Sequence, residues 1–359
     1  MAENTLPAVR NQTIDAAKGI GIFLVVFAHI NYIEPWQSII YGFHIPLFFI
    51  LAGMTFQKDK YSSFWVFVKR RIKTLLVPYL FFAIISVLVR VALDIVFNGF
   101  SGAVFVSAGK RLVQFVTARY SQRVEANVAL WFVPCLFLME CMYYLIIRIP
   151  SRVAVIGTIV LLVCVGWYTE SDYCPVDFSV LPWNFSSACF SIGFYAVGHL
   201  FVSKLTPFTF TNRPLSQKVC ALVSAGVCFA VAIVAAHFNG RVTIGTRILG
   251  NGFLFYVSGI MGSLGVLFIG ELIQNFSLVT FWGRSSFCIM ATHLLLQRTI
   301  LLSYKNFLHG NHKTTYYSWG KSTLIFIVVM TISSVLAVLY TRMRQFIRKK
   351  KEQSKLAAM

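Results

Sequence analysis

Charge is what this sequence lacks. Of its 359 residues only 12% are Asp, Glu, Lys or Arg, about half the roughly 25% usual in soluble domains. Acidic residues are scarcest, 12 against 32 Lys and Arg, which leaves a formal net charge of +20. So little charge excludes an ordinary cytosolic enzyme, a disordered chain and a nucleic-acid-binding domain. There is no internal repeat and no low-complexity linker. A disulfide framework is missing too: of the 8 Cys, only Cys174 falls clearly in a loop, and the others sit in or at the edges of apolar runs. No cleaved signal peptide is expected, because the first apolar run follows a polar stretch, holds Lys18 and His29 and lacks a small-residue cleavage site.

What is abundant is apolar surface. Hydrophobic residues make up 57% of the chain, with 34 Phe and 7 Trp. A water-soluble fold of this size has no polar shell with which to cover them, so the expected class is an all-α, polytopic transmembrane helical bundle. Ten runs are long enough to span: 14–33, 38–56, 74–97, 128–147, 153–168, 183–203, 219–236, 252–272, 284–303 and 322–341. They form one membrane domain, 14–341, between a segment 1–13 and a basic tail 342–359. With both termini cytoplasmic, the inner loops and tail hold roughly twice the Lys and Arg of the outer loops, as the positive-inside rule asks. The stretch 57–73 places Tyr61, Phe64, Trp65 and Val68 at helical spacing between cations, which predicts a helix lying on the cytoplasmic interface. The connection 98–127 reads as a long, basic, aromatic outer loop.

Ionisable residues inside such runs are functional candidates by default. Lys18 and His29 lie eleven residues apart on the first span, close to three helical turns, and so share a face. Asp15 falls near the same line. The bland alternatives are that Lys18 snorkels to the inner interface, that His29 is a packing donor and that Asp15 is a first-turn helix acid. His44 precedes Pro46, which frees a backbone carbonyl in the preceding turn that a nearby polar group can satisfy. His29 and His44 fall on sequential spans towards the outer side. Such a pair suits a base with an orienting or substrate-binding partner. A third metal ligand at suitable spacing is not evident, so no metal is expected.

Other candidates follow. Lys69, Arg70, Arg71 and Lys73 form a cytoplasmic cationic cluster that either retains topology or docks phosphates. Trp131 is a packing aromatic or a platform for a sugar ring. Glu140, in the fourth span, either pairs with a cation or serves the site. Arg90 and Asp94, four apart, pair with each other. His293 sits mid-span and faces the bundle interior. Arg111, Arg119 and Arg123 in the outer loop are placed to hold an anionic glycan or a lipid diphosphate.

Taken in order, IDAAKGIGIFLVVFAH (14–29), FHIPLFFILAG (43–53), KRRIKTLLVPY (69–79), LWFVPCLF (130–137) and GRSSFCIMATH (283–293) resemble the acyltransferase 3 superfamily. These are bacterial integral-membrane O-acyltransferases, and the likeness runs to the branch similar to fucose 4-O-acetylases. The resemblance implies ten spanning helices in the bacterial cytoplasmic membrane. It also implies acetyl-CoA as a cytoplasmic donor and a hydroxyl of a cell-surface or lipid-linked polysaccharide as acceptor. The family's first-helix signature, a basic residue eleven positions before an essential His, is met by Lys18 and His29, with Lys where many members have Arg. The family's two Arg spaced three apart before the third helix are met here by Arg70 with Lys73.

The expectation is therefore a membrane O-acetyltransferase. Its partners are acetyl-CoA, a glycan and membrane lipids, without nucleic acid. His29 would act as general base or acyl carrier. Lys18, His44 and Asp15 would assist, Lys69, Arg70, Arg71 and Lys73 would hold coenzyme A, and Trp131, Arg119, Arg123, His293 and Glu140 would line the acceptor side. A transporter of a glycan or small acid is the alternative, since buried ionisable residues suit it as well.

Overall fold

The computed structural model of the chain describes residues 10–30, 36–118, 127–171, 174–176, 181–205, 214–244, 248–307 and 319–357. Among these the fold is all-α, and the only extended pairing is one bridge, Thr243 to Ile248. In chain order the helices are α1 (Gln12–His29), α2 (Trp36–Tyr41), α3 (His44–Met54), α4 (Phe64–Arg71), α5 (Val77–Asn98), α6 (Gly102–Thr117), α7 (Phe132–Ile146) and α8 (Arg152–Thr169). There follow α9 (Phe185–Val197), α10 (Ser203–Leu205), α11 (Leu215–Asn239), α12 (Gly252–Leu272), α13 (Ser277–Arg284), α14 (Ser286–Phe307) and α15 (Trp319–Ala357).

Among the described residues nine stretches are long and apolar enough to cross a membrane. They are Trp36–Met54, Phe64–Asn98, Val128–Ile146, Arg152–Thr169, Pro182–Val202, Leu215–Asn239, Gly252–Leu272, Ser286–Ser303 and Trp319–Ser354. They coincide with the second to tenth spans expected from sequence. The first expected span is α1, an 18-residue helix whose apolar character is diluted by Asp15, Lys18 and His29. It is enclosed by α3, α12, α13 and α14 rather than by lipid.

Two expectations are corrected. The stretch 57–73 is not a separate interfacial helix. After a short turn at Lys58–Lys60, α4 runs through a π-helical turn, Ile72–Leu76, directly into α5. Of the four side chains taken as one apolar face, Tyr61, Phe64 and Val68 pack on the core, whereas Trp65 is 69% exposed. The inward anchor is Phe67, fully buried and stacked on Tyr144 at 4.4 Å. The connection 98–127 is not a loop throughout either. Gly99 turns the chain with φ +80°, and α6 then forms, with Arg111 held by Asp94 at 2.8 Å and the Tyr79 hydroxyl donating to the Phe115 carbonyl. The basic tail continues α15 as helix through Ala357.

The helices divide by burial. Within the spanning windows, 72% of Pro182–Val202 is buried but only 17% of Arg152–Thr169, so α9 is interior and α8 presents most of its surface outward. Without a hydrophobic drive between helices in lipid, small residues permit the closest packing. Gly19 and Gly283 let α1 and α13 meet backbone to backbone: a Cβ on Gly19 would stand 2.0 Å from the Val279 carbonyl oxygen. Gly53 and Gly198 do the same for α3 and the turn after α9, where a Cβ on Gly53 would stand 2.0 Å from the Tyr195 oxygen.

Two apolar clusters result. One contains Leu47, Phe49, Tyr143, Phe194 and Phe255, and the other Ile22, Val26, Phe82, Ile289 and Val329. α1 contributes to both, Ala17 to the first and Ile22 and Val26 to the second. Its face between them borders a cavity. Buried Asn127 braces the region, donating to the Ser86 hydroxyl at 3.1 Å and to the Ala291 carbonyl at 2.7 Å.

Candidate active site

The cavity encloses about 240 Å³ and runs along α1 from Lys18 past Ile22 and Val25 to His29. Its walls are Ile45, Phe48 and Ala52 of α3, Phe132, Val133 and Leu136 of α7, Leu75 before α5, and Phe287 and Met290 of α14. Lys18 and His29 are separated by about 16 Å of helix axis at 1.5 Å per residue. The passage is thus apolar along its length and polar at both ends.

At one end Lys18 is joined by Arg71 and Glu140. Arg71 Nε lies 2.9 Å from Glu140 Oε2, with the Glu140 side chain 3% exposed. A carboxylate so buried needs a paired charge, and Arg71 supplies it. The π-helical turn begins one residue after Arg71. Such an insertion changes the helical register, and π-turns recur at functional sites. Here it divides the predicted cationic cluster: Arg71 lines the cavity, while Lys69, Arg70 and Lys73 are exposed on the surface beside it. Asp15 is engaged elsewhere, by a two-pronged contact from Arg10 at 2.6 and 3.0 Å.

At the other end His29 closes α1, His44 opens α3, and His293 projects from α14. The His29 ring centre lies 6.4 Å from that of His44 and 5.1 Å from that of His293. Each imidazole is anchored through Nδ1 to a carbonyl of its own preceding turn: His29 to Val25 at 2.7 Å, His44 to Ile40 at 2.8 Å, His293 to Met290 at 2.8 Å. A carbonyl only accepts, so the proton resides on Nδ1 in all three, and each neutral ring keeps a lone pair on Nε2. That is the tautomer a base or nucleophile at Nε2 requires.

Pro46 explains part of this. The carbonyl it leaves without a helical partner is that of Gly42, and the Ser258 hydroxyl donates to it at 3.2 Å. His44 is therefore not spent on that carbonyl.

The other sequence candidates fall as follows. Trp131 packs beside Phe132, with ring centres 6.3 Å apart, and it is Phe132 that lines the cavity. Arg90 pairs with Asp94 at 3.1 Å, as its spacing suggests, and Arg111 joins them. Arg119 and Arg123 lie outside the described residues. Among the described residues no group of three or more His, Cys, Asp or Glu side chains is placed to hold a metal ion.

Several participants escape sequence reading. The Gln297 amide donates to the His29 carbonyl at 2.8 Å, and the Gln37 amide to the Ala28 and Ile30 carbonyls at 3.1 and 3.2 Å. Both fasten the end of α1, where carbonyls have no helical partner. Gln297 lies four residues after His293, a polar stripe that was legible as the unusual polarity of that span. Tyr41 stands 4.9 Å from His44 and 6.0 Å from His29, with the Arg241 guanidinium 4.6 Å above its ring. Nothing in the sequence links Arg241 to Tyr41, two hundred residues earlier.

The model of the acyltransferase domain family, Acyl_transf_3, matches residues 11–343. No curated protein and no solved structure matches the chain. The match covers the histidine cluster, the cavity and the spanning stretches up to residue 343 in the last of them, and it decides between the two classes that buried ionisable residues left open. The chain belongs to the acyltransferase 3 family and is an integral-membrane acyltransferase.

Proposed function

We propose that the protein moves an acetyl group from acetyl-CoA to a hydroxyl of a cell-surface or lipid-linked polysaccharide sugar. In this reading it lies in the bacterial cytoplasmic membrane with both termini inside, in the branch similar to fucose 4-O-acetylases. The observation that carries the proposal is the cavity itself, cationic at one end, imidazole-lined at the other and apolar between them.

The donor's chemistry matches that layout. A passage lined by apolar side chains between a cationic end and His29 suits an acyl-bearing arm. The phosphates of coenzyme A would stay at the cytoplasmic surface, near Lys69, Arg70 and Lys73, with Arg71 and Lys18 at the mouth. The thioester would then reach the histidines.

The acceptor hydroxyl gives its proton to His29 Nε2 as its oxygen attacks the thioester carbonyl carbon. The carbon–sulfur bond breaks, and the departing thiolate takes the proton back from the His29 imidazolium. Because Nε2 carries the lone pair, His29 is equally equipped to take the acetyl group itself first and pass it on.

The test is transfer of radiolabelled acetyl from acetyl-CoA to a membrane glycan fraction by purified protein in lipid vesicles. His29→Ala, with an unchanged melting transition, is expected to lower transfer by 10²-fold or more, the usual contribution of a positioned base. Label retained on the wild-type protein after a neutral detergent quench, lost on brief acidification and absent from His29→Ala, identifies the acetyl-histidine route. Transfer undiminished in His29→Ala overturns the proposal.

A further inference from the structure

The α5–α6 hairpin holds more positive charge than it balances. Arg90 Nε stands 3.1 Å from Asp94 Oδ1, and Arg111 Nη1 stands 2.8 Å from Asp94 Oδ2. Two guanidiniums thus share one carboxylate, and among the described residues Asp94 is the only acid at ion-pair distance from either. Asp15, Glu140 and Glu352 pair with Arg10, Arg71 and Arg348, and Glu170 accepts from Ser187. The contacts to Asp94 are close but not aligned as hydrogen bonds: Arg90 Nε, Arg111 Nε and Arg111 Nη1 are buried and donate none. A buried guanidinium without a counter-charge of its own is strongly unfavourable. The group is completed by an added anion, and the fork of a guanidinium matches phosphate. Arg90 is its open side, with a side chain 29% exposed against 8% for Arg111.

The surroundings say what carries that anion. On the same two helices Leu88, Val96, Leu112 and Val113 are 62%, 68%, 44% and 60% exposed, a surface that meets acyl chains in a bilayer. Arg90 follows Arg71 by 19 residues along the continuous helix of α4 and α5, about 28 Å at 1.5 Å per residue. That is close to the roughly 30 Å of a hydrocarbon core, so a helix with Arg71 at one membrane face brings Arg90 to the phosphate level of the other. Ser86, one turn before Arg90, accepts from Asn127, which also donates to the Ala291 carbonyl two residues before His293. The cationic group therefore lies towards the histidine end of the bundle.

We propose that the α5–α6 hairpin binds the phosphate group of a membrane lipid, received by Arg90 and Arg111 at the membrane face opposite Lys18 and Arg71. Asp94 holds the two guanidiniums together, and the lipid phosphate supplies the charge that Asp94 alone does not. The lipid is either a glycerophospholipid or a polyprenyl-type carrier, which share this chemistry. The inference stands apart from the acyl-transfer reading, and its test needs no acyl donor.

The experiment follows the melting transition of the full-length protein in a non-ionic detergent. The probes are dihexanoyl phosphatidylglycerol and farnesyl phosphate, with dihexanoylglycerol, farnesol and inorganic phosphate as controls. At least one lipid phosphate is expected to raise the melting temperature in a saturable way, as a ligand of the folded state does, and the controls are not. The responding probe identifies the lipid class. In Arg111→Leu the apparent Kd is expected to rise at least about tenfold. Its melting temperature without phosphate is expected to match the wild type or exceed it, because Asp94 keeps Arg90 and the surplus charge is gone. Gln114→Glu, three residues along α6 from Arg111 and so on the same face, supplies an internal carboxylate and is expected to abolish the response in the same way.

A wild-type protein that responds to neither lipid phosphate overturns the proposal, and this arm depends on no variant. A response that survives Arg111→Leu with an unchanged Kd overturns it too. An equal response to inorganic phosphate removes the lipid from the assignment and overturns it in that form. A lower melting temperature of Arg111→Leu without phosphate would make the three side chains a self-sufficient structural group and would also overturn it.

Discussion

At the scale of single residues, the contact between Arg71 and Glu140 carries the most definite energetics. Removing one member of a buried pair strands the other charge, at about 3–5 kcal/mol when both are fully buried. The Arg71 side chain is 22% exposed, so solvent screens part of that, and about 1–3 kcal/mol is the expected loss for Glu140→Ala. Replacing both by Leu is expected to recover most of the melting temperature. The double variant should nevertheless keep a raised KM for acetyl-CoA, tenfold or more, since the guanidinium at the cavity mouth is gone. Thermal unfolding set beside steady-state kinetics checks both halves; a double variant with normal KM would remove Arg71 from donor binding. Lys18 and His29 were legible in the sequence because helical periodicity is a local property. The approach of His293 to His29 was not, since 264 positions separate them and only packing joins them.

At the scale of elements, the glycines decide how closely helices approach. A Cβ on Gly283 would lie 1.7 Å from the Asp15 carbonyl oxygen, and the obstacle is backbone that cannot rotate away. Gly283→Ala is therefore expected to separate α13 from α1 and to cost at least the 1–3 kcal/mol typical of overpacking, about 3 kcal/mol or more here. Gly157, on the outward-facing α8, has open space around its Cβ position. Gly157→Ala is expected to be neutral or stabilising by up to about 1 kcal/mol, through helix propensity. The fraction eluting as folded protein after a temperature ramp separates the two; equal tolerance would mean that the α1–α13 contact is looser than drawn. Sequence periodicity located nine spans, seven of them to within a few residues. It missed the junction of α4 with α5, because a π-turn is one inserted residue with no compositional signature. It read α6 as loop because a 16-residue helix lies below the length that marks a span.

At the scale of the molecule, the cavity has two chemically different ends, and the proposed transfer across a membrane needs them on opposite sides. The end bearing Lys18, Arg71 and Glu140 lies with the connections 55–63 and 147–151, and the histidine end with Tyr41 and Arg241. In the proposed orientation, which follows the distribution of Lys and Arg, the first faces the cytoplasm. In a variant with its natural cysteines replaced, Arg241→Cys is expected to react with a membrane-impermeant maleimide in intact cells. Gln353→Cys, on the exposed end of α15, is expected to react only after permeabilisation. The reverse pattern would invert the orientation and place coenzyme A at the wrong end.

The sequence by itself determined the membrane class, the approximate limits of most of the spans, the family, and the pairing of Lys18 with His29 on one helix. These follow from composition and from periodicities of a few residues, which the chain cannot alter by folding. The tertiary structure alone decided that Arg71 rather than Arg70 or Lys73 lines the cavity, that Ser258 relieves the carbonyl freed by Pro46, and that the rings of His44 from α3 and His293 from α14 come within 6.4 and 5.1 Å of the His29 ring on α1. Each depends on how helices distant in sequence rotate and cross. In lipid that is set by close packing of small residues and by the need to satisfy every buried polar group, conditions met only by the assembled bundle.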